Sequence, residues 1–186
     1  MSRENVEVVR QSIAVKARSR RCLEERLALR FPGVLALLAQ AVFRSRPHSR
    51  LRRAVVRHVA QLGFEAINRG DFEAAFAAYH PDIEVIEPPQ VVKLGLDPVS
   101  RGRAERIHVQ RRWHAEWSEL RFEPDELFDL GDRLLVTARM KGSGLSSEAA
   151  FDNDFANLVT LSAGRVIREE LFLDRAEALE AVGLRD

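Results

Sequence analysis

From residue 120 to 173 the chain is built almost entirely of runs in which apolar and polar residues alternate with a period of two, a pattern few arrangements accommodate. Residues 120–130 and 134–140 flank the turn Gly131-Asp132, and residues 151–161 and 166–173 flank Ser162-Ala163-Gly164. Alternating runs joined by short turns read as antiparallel hairpins. Upstream the period is helical. Val55, Val59, Leu62, Ala66 and Ile67 mark a helix that stops at Asn68-Arg69-Gly70. Asp71 then opens a short helix carrying Phe72, Phe76 and Tyr79, and residues 103–117 form a third. Residues 83–87 alternate as a strand between the second and third helices, and Asp174 opens a terminal helix. Helices followed by a run of strands give an α+β fold, a curved antiparallel sheet packed on three helices.

The first 53 residues have a different character. They hold 13 Lys+Arg against 4 Asp+Glu, or +9, whereas the remainder holds 16 against 24, or −8. A basic helical extension (1–53) therefore precedes an acidic body (54–186), which implies a partner for the extension or contact between the two. Within it, residues 3–30 read as one helix and Val34, Leu35, Leu38, Ala41 and Val42 as a second after the break at Pro32-Gly33, with residues 44–53 as a basic linker. No aromatic residues are interleaved for base stacking, so the arginines read as a solvated face of helices packed on the body or on a second subunit, not as a nucleic-acid site. The apolar run 31–43 imitates a secretory signal. The long preceding segment, Glu24 and Glu25 argue against that, and the run is too short to span a bilayer. With Cys22 as its single cysteine the chain closes no internal disulfide, and the expected location is cytoplasmic.

The segment 64–72 (FEAINRGDF), followed by His80-Pro81-Asp82-Ile83-Glu84, resembles the opening of SnoaL-like proteins of the nuclear transport factor 2-like superfamily. Residues 155–161 (FANLVTL), Gly164-Arg165-Val166-Ile167 and residues 173–179 (LDRAEAL) resemble the closing hairpin and tail of that family. The resemblance implies a cone with a pocket for a small hydrophobic ligand between the concave sheet and the helices, no cofactor, and a homodimer. Relatives of this type include polyketide cyclases, ketosteroid isomerases, epoxide hydrolases and non-catalytic binding modules, so the fold alone fixes no activity. Residues 1–10 resemble the usual family start, yet some 45 residues intervene before the helix that normally continues it.

Several residues are candidates for a site. On the helix 103–117, Arg106, Val109, Gln110, Trp113 and Trp117 project within one quadrant, forming either an amphipathic wall for a ligand or core packing. Asp174 stands where SnoaL-like cyclases often carry an acid/base residue, but with Glu177 three positions on it also has the form of a capping box. Glu170 points into the cone if its strand face is concave, where it could pair with Arg139. Asn157 shares parity with Phe155 and Val159 and offers an amide where some relatives place a histidine; it can bond a ligand but not shuttle a proton. Tyr79 could donate its hydroxyl to a ligand or simply fill core. Glu84 and Glu87 flank the first strand near the pocket mouth, with solvent the expected destination of Glu84. The histidines show no metal-ligand spacing, and no phosphate-binding glycine loop or G-x-S-x-G elbow occurs.

Overall fold

A computed structural model describes residues 8–13, 19–47, 49–93, 95–144 and 150–184. Parts of the expected first helix (3–7 and 14–18), the family-like start at 1–7 and His48 lie outside the described residues. The chain begins with strand β1 (Val9–Ser12) and helices α1 (Leu23–Arg30), α2 (Pro32–Phe43), α3 (Arg50–Asn68) and α4 (Phe72–Ala75). Next come β2 (Tyr79–Ile86), α5 (Pro89–Val92), β3 (Val99–Arg101) and α6 (Arg103–Ala115). Four long strands follow, β4 (Trp117–Asp129), β5 (Arg133–Gly144), β6 (Ala150–Ser162) and β7 (Arg165–Phe172), before α7 (Arg175–Ala181).

The strands form one sheet in the order β1-β4-β5-β6-β7-β2-β3, antiparallel throughout except for the parallel pair β2–β7. The sheet is curved and does not close. Its concave face packs on α3, α4 and α6. Phe64 of α3 meets Leu120, Phe122, Val136, Ala138 and Met140 in one cluster, and Phe72, Phe76, Ile83, Val85, Ile107 and Leu171 form a second beside it. The opposite face is half covered. There α7 seats Ala178 and Leu179 on Phe128, Leu135, Ala156 and Leu158. Beyond α7 that face carries exposed ion pairs, Arg139 with Asp152 and Asp154 and Lys141 with Glu123.

The N-terminal segment differs from its reading as helix over 3–30. Val9–Ser12 is an edge strand paired with Ser12↔Glu126 through Val9↔Asp129, and Ile13 N–H continues the pairing to Asp125 O at 2.9 Å. Val9 and Ile13, whose spacing suggested a helix, are both buried; four residues are too few to separate a period of 3.6 from one of 2. The basic linker is also shorter than its sequence suggests. Ser49 caps α3, accepting from Arg52 N–H, so Arg50–Arg53 form its first turn and position 53/54 falls inside a helix.

Charge draws this segment onto the body. Arg52 is only 2 % exposed and uses its whole guanidinium: Nε and Nη2 bond the two Asp129 oxygens at 2.8 and 2.6 Å, while the nitrogens also reach the carbonyls of Phe43, Ser45 and Gly131. Arg21 grips Asp71 at 2.6 and 2.7 Å, Arg69 joins Asp71 to the buried Glu25, and Arg10 and Arg175 share Glu126. The Arg69-Gly70-Asp71 stop of α3 is thus a docking point for α1.

Candidate functional site

α6 lies across the mouth of the cone because Ile107 and Val109 bury against the sheet while Arg111 and Arg112 face solvent. Between α6, α3 and the sheet is a narrow cavity of about 50 Å3. Phe64, Ile67, Phe122, Met140, Phe155 and Leu171 make most of its wall, and its polar groups are Glu87, Arg106, Gln110 and Asn157, with Trp113 beside them. A more polar cleft adjoins it through Glu87, Val109 and Trp113, with Asp97, Glu105, Glu116 and Arg112 on its rim.

A buried polar network backs the cavity. Its centre is Glu169, which is fully buried on β7. Arg106 Nε donates to Glu169 Oε2 at 2.5 Å; Tyr79 Oη and Asn157 Nδ2 both donate to Oε1 at 2.8 Å. Arg106 Nη1 also donates to Gln110 Oε1 at 2.8 Å, and the guanidinium lies 4.7 Å from the Phe76 ring centroid. Burial, the largest single influence, lowers the Arg106 pKa, but Glu169, Tyr79 and Glu87 together outweigh it and hold the guanidinium charged. Burial, reinforced by the Glu169 carboxylate, pushes the Tyr79 phenol well above its usual value, so it remains a donor. Because Asn157 gives its NH2 to a carboxylate, its Oδ1 is turned away, buried and without a hydrogen-bond partner among the described residues.

Glu87 is the exception to this pairing. It follows β2, is 7 % exposed, and its Oε1 has no hydrogen-bond partner among the described residues. Burial raises its pKa, Arg106 opposes the rise, and Glu169 adds to it. An unpaired carboxyl facing a cavity, with its pKa raised from the ordinary glutamate value, is a group able to take up and release a proton.

The structure brings Arg106, Gln110, Trp113 and Asn157 to the cavity. Trp117 begins β4 instead of ending α6; it is not part of the cavity wall and packs against Phe151 and Trp113, with ring centroids 4.6 and 6.4 Å apart. Tyr79 lies in the core beneath and joins the network through its hydrogen bond to Glu169. Asp174 is the N-cap of α7, its Oδ1 accepting from Glu177 N–H at 2.8 Å, and it lies outside the cavity. Glu170 faces away from the cone and pairs with Arg168, while Arg139 is held by Asp152 and Asp154, so the expected inward Glu170–Arg139 pair is corrected. The cause is a bulge. Leu161 pairs with Val166 but Thr160 with Arg168, leaving Ile167 as an extra residue that moves Glu169 to the inner face. Glu84 faces outward, bonded to Arg101 and Arg168. Half-buried His114 packs on the Phe72 ring, centroid to centroid 4.9 Å, and burial lowers its pKa. No group of three His, Cys, Asp or Glu among the described residues is arranged to hold a metal.

Solved structures share this architecture. An NTF2-like protein of unknown function from Burkholderia pseudomallei superposes with a TM-score of 0.57 at 24 % identity, covering 68 % of this chain and 95 % of its own. An NTF2-like protein from Burkholderia thailandensis gives 0.56 at 26 % identity, with coverages of 63 % and 88 %. A protein described as a candidate SnoaL-like polyketide cyclase from a Jannaschia species gives 0.57 at 20 % identity, with coverages of 74 % and 94 %. No curated protein matches the chain in sequence. The SnoaL-like domain family matches residues 60–169, which run from the middle of α3 to Glu169 and so include Glu87, Arg106 and Asn157. With more than half of its length matched and the cone fold in place, the chain belongs to the SnoaL-like domain family.

Proposed function

We propose that the cavity is a cofactor-independent acid–base site, acting as an isomerase, cyclase or hydrolase on a small hydrophobic carbonyl or epoxide compound, with Glu87 as the group that moves the proton. The observation that carries this reading is the state of Glu87: buried, unpaired and raised in pKa at the junction of an apolar cavity and a more polar cleft. In the isomerase form, the Glu87 carboxylate takes a proton from the carbon next to a carbonyl, leaving an enolate, and the resulting carboxylic acid returns that proton to another carbon. Asn157 Oδ1 accepts a hydrogen bond from a ligand hydroxyl, and Trp113 supplies a flat wall. Arg106 is already committed to Glu169 and Gln110, so it serves to keep a charged network rigid behind the ligand and not as a base. Asp174 and Glu170 have no part in this scheme.

The test is turnover by the wild type and by Glu87→Gln on a panel of small cyclic ketones and epoxides, with circular dichroism to check folding. Conversion that rises with pH through the raised Glu87 pKa, and that the variant loses, supports the reading. Binding without conversion of any panel member favours the competing reading, a ligand-binding module. Equal turnover by a folded Glu87→Gln variant removes Glu87 from the role. A native mass spectrum of the purified chain reads both a co-purified ligand and the oligomeric state, where a monomer mass at micromolar concentration removes the homodimer expected from the family resemblance.

A further inference from the structure

Helix α2 has no charged side chain and none of its residues is fully buried, an unusual condition for a segment this apolar. Its inner side, at Ala36 and Gln40, rests on the body. The β6–β7 turn supports it from below so closely that a Cβ on Gly164 would stand 1.9 Å from the Ala36 carbonyl oxygen, and Arg165 donates to Pro32 O at 3.4 Å. Its outer side, Val34, Leu37, Leu38 and Ala41 at helical spacing, is exposed, Leu37 to 68 %. Leu23 and Leu27 of α1 and Phe31 at the corner between the helices are exposed as well. Single exposed apolar residues are ordinary; six large ones within residues 23–38 are not.

The charge around this patch selects what covers it. Between Glu25 and Glu65 the sequence contains no Asp or Glu and eight arginines. Arg52 is consumed internally, but Arg26, Arg30, Arg44, Arg46, Arg50 and Arg53 are exposed. A two-fold contact with a second copy would set these same arginines against each other, with Glu24 of α1 as the one exposed carboxylate among them. A nucleic acid would satisfy the arginines but leave the leucines wet. A bilayer with anionic headgroups satisfies both. At 12 residues α2 is about 18 Å long, short of a hydrocarbon core of about 30 Å, and no single described helix is long and apolar enough to cross a membrane. The helix would therefore lie in the interface.

We propose that α1, α2 and the arginines after them form a peripheral docking surface for anionic phospholipid bilayers, with the Val34-Leu37-Leu38-Ala41 face of α2 inserted at the headgroup boundary. The surface is separate from the acid–base cavity and does not depend on it. Flotation of the full chain with phosphatidylcholine vesicles, and with vesicles of phosphatidylcholine and phosphatidylglycerol in equal parts, tests it. Binding is expected only to the mixed vesicles, falling as salt is raised because exposed arginines are screened. The double substitution Leu37→Glu, Leu38→Glu, at positions that carry no core, should cut the bound fraction by about tenfold or more while circular dichroism stays unchanged. The inference is overturned by no binding to mixed vesicles, by equal binding to both kinds, or by binding the double variant retains. A concentration-dependent oligomer that the same double variant dissolves would also overturn it, assigning the face to a second copy of the chain.

Discussion

A carboxyl group buried without a partner costs stability whenever it is charged, and Glu87 carries that cost at neutral pH. Its pKa is raised on folding, so the native state holds a proton that the unfolded chain has released across the window between the ordinary Glu value and the raised one. Stability supplied by this group is then complete below the unfolded pKa and is lost as pH rises through the folded one. Glu87→Gln should accordingly raise the melting temperature at neutral pH, and the gain should vanish in acid, below the ordinary carboxylate range. Melting curves across pH check this, and a variant less stable than wild type at neutral pH would contradict the burial argument. Stability gained together with activity lost is the signature expected of a proton-transfer residue, whereas a structural carboxylate would lose both. The residues around it were unequally legible in the sequence. Arg106, Gln110 and Trp113 follow from projecting one helix at 100° per residue, because α6 is regular and its inner face is simply its less charged one. Asn157 follows from strand parity. Glu169, the centre of the network, does not, because parity fails wherever a strand gains a residue, and the bulge at Ile167 is set by pairing with β6, not by any signal in the β7 sequence itself.

The same reasoning runs through the elements. The four long strands were readable because two-residue periodicity over seven or more positions, closed by Gly131-Asp132 and Ala163-Gly164, marks two hairpins. Ala163 and Gly164 both take positive φ, 47° and 75°, as a tight two-residue turn requires. β1 was not readable: its four residues gain their structure from the free edge of β4, a tertiary opportunity invisible in the local sequence. Nor was α5, a single turn started by Pro88-Pro89. α7 shows the opposite case, where the local signal outweighs a family expectation. Asp174 with Glu177 has the sequence of a capping box, and the Asp174 side chain is spent on the Glu177 amide. Asp174→Ala should cost about 1 kcal/mol, or roughly 2–4 °C in melting temperature for a chain of this size, and leave turnover intact. Thermal melts and the same turnover assay decide it; a variant of unchanged stability that loses turnover would return Asp174 to catalysis.

For the molecule as a whole, the opposed charges of its two parts become contacts that hold one to the other. Arg52 and Asp129 form the buried pin, and because both lie in the interior, removing either one would strand the other; such losses run to about 3–5 kcal/mol. The outer ties are the more exposed Arg21–Asp71 and Arg10–Glu126–Arg175 groups, and these titrate. The hydrogen bond from Arg21 holds the Asp71 pKa below its ordinary value, with burial opposing it. Burial likewise works against the Glu126 carboxylate, but Arg175 and Arg10 together bring its pKa below the ordinary value too. With both lowered on folding, the stability these carboxylates contribute is present above the unfolded pKa and is lost as pH falls through the depressed folded values. The sheet ladder β4–β5–β6 depends on such groups less, being held mainly by backbone pairing and apolar contact, with its ion pairs Arg139–Asp152 and Lys141–Glu123 exposed on the outer face. Acidification should therefore free the N-terminal segment before it unfolds the cone: amide hydrogens of Val9–Ser12 should lose exchange protection at a higher pH than those of β5 and β6. Glu126→Gln should produce the same early loss at neutral pH, since it removes the carboxylate that Arg10 and Arg175 share while sparing the shape of the side chain. Were β1 to stay as protected as β5 in acid and in the variant, backbone pairing alone would account for its place on the sheet, and the charge asymmetry of the sequence would belong to the docking surface of α1 and α2 instead.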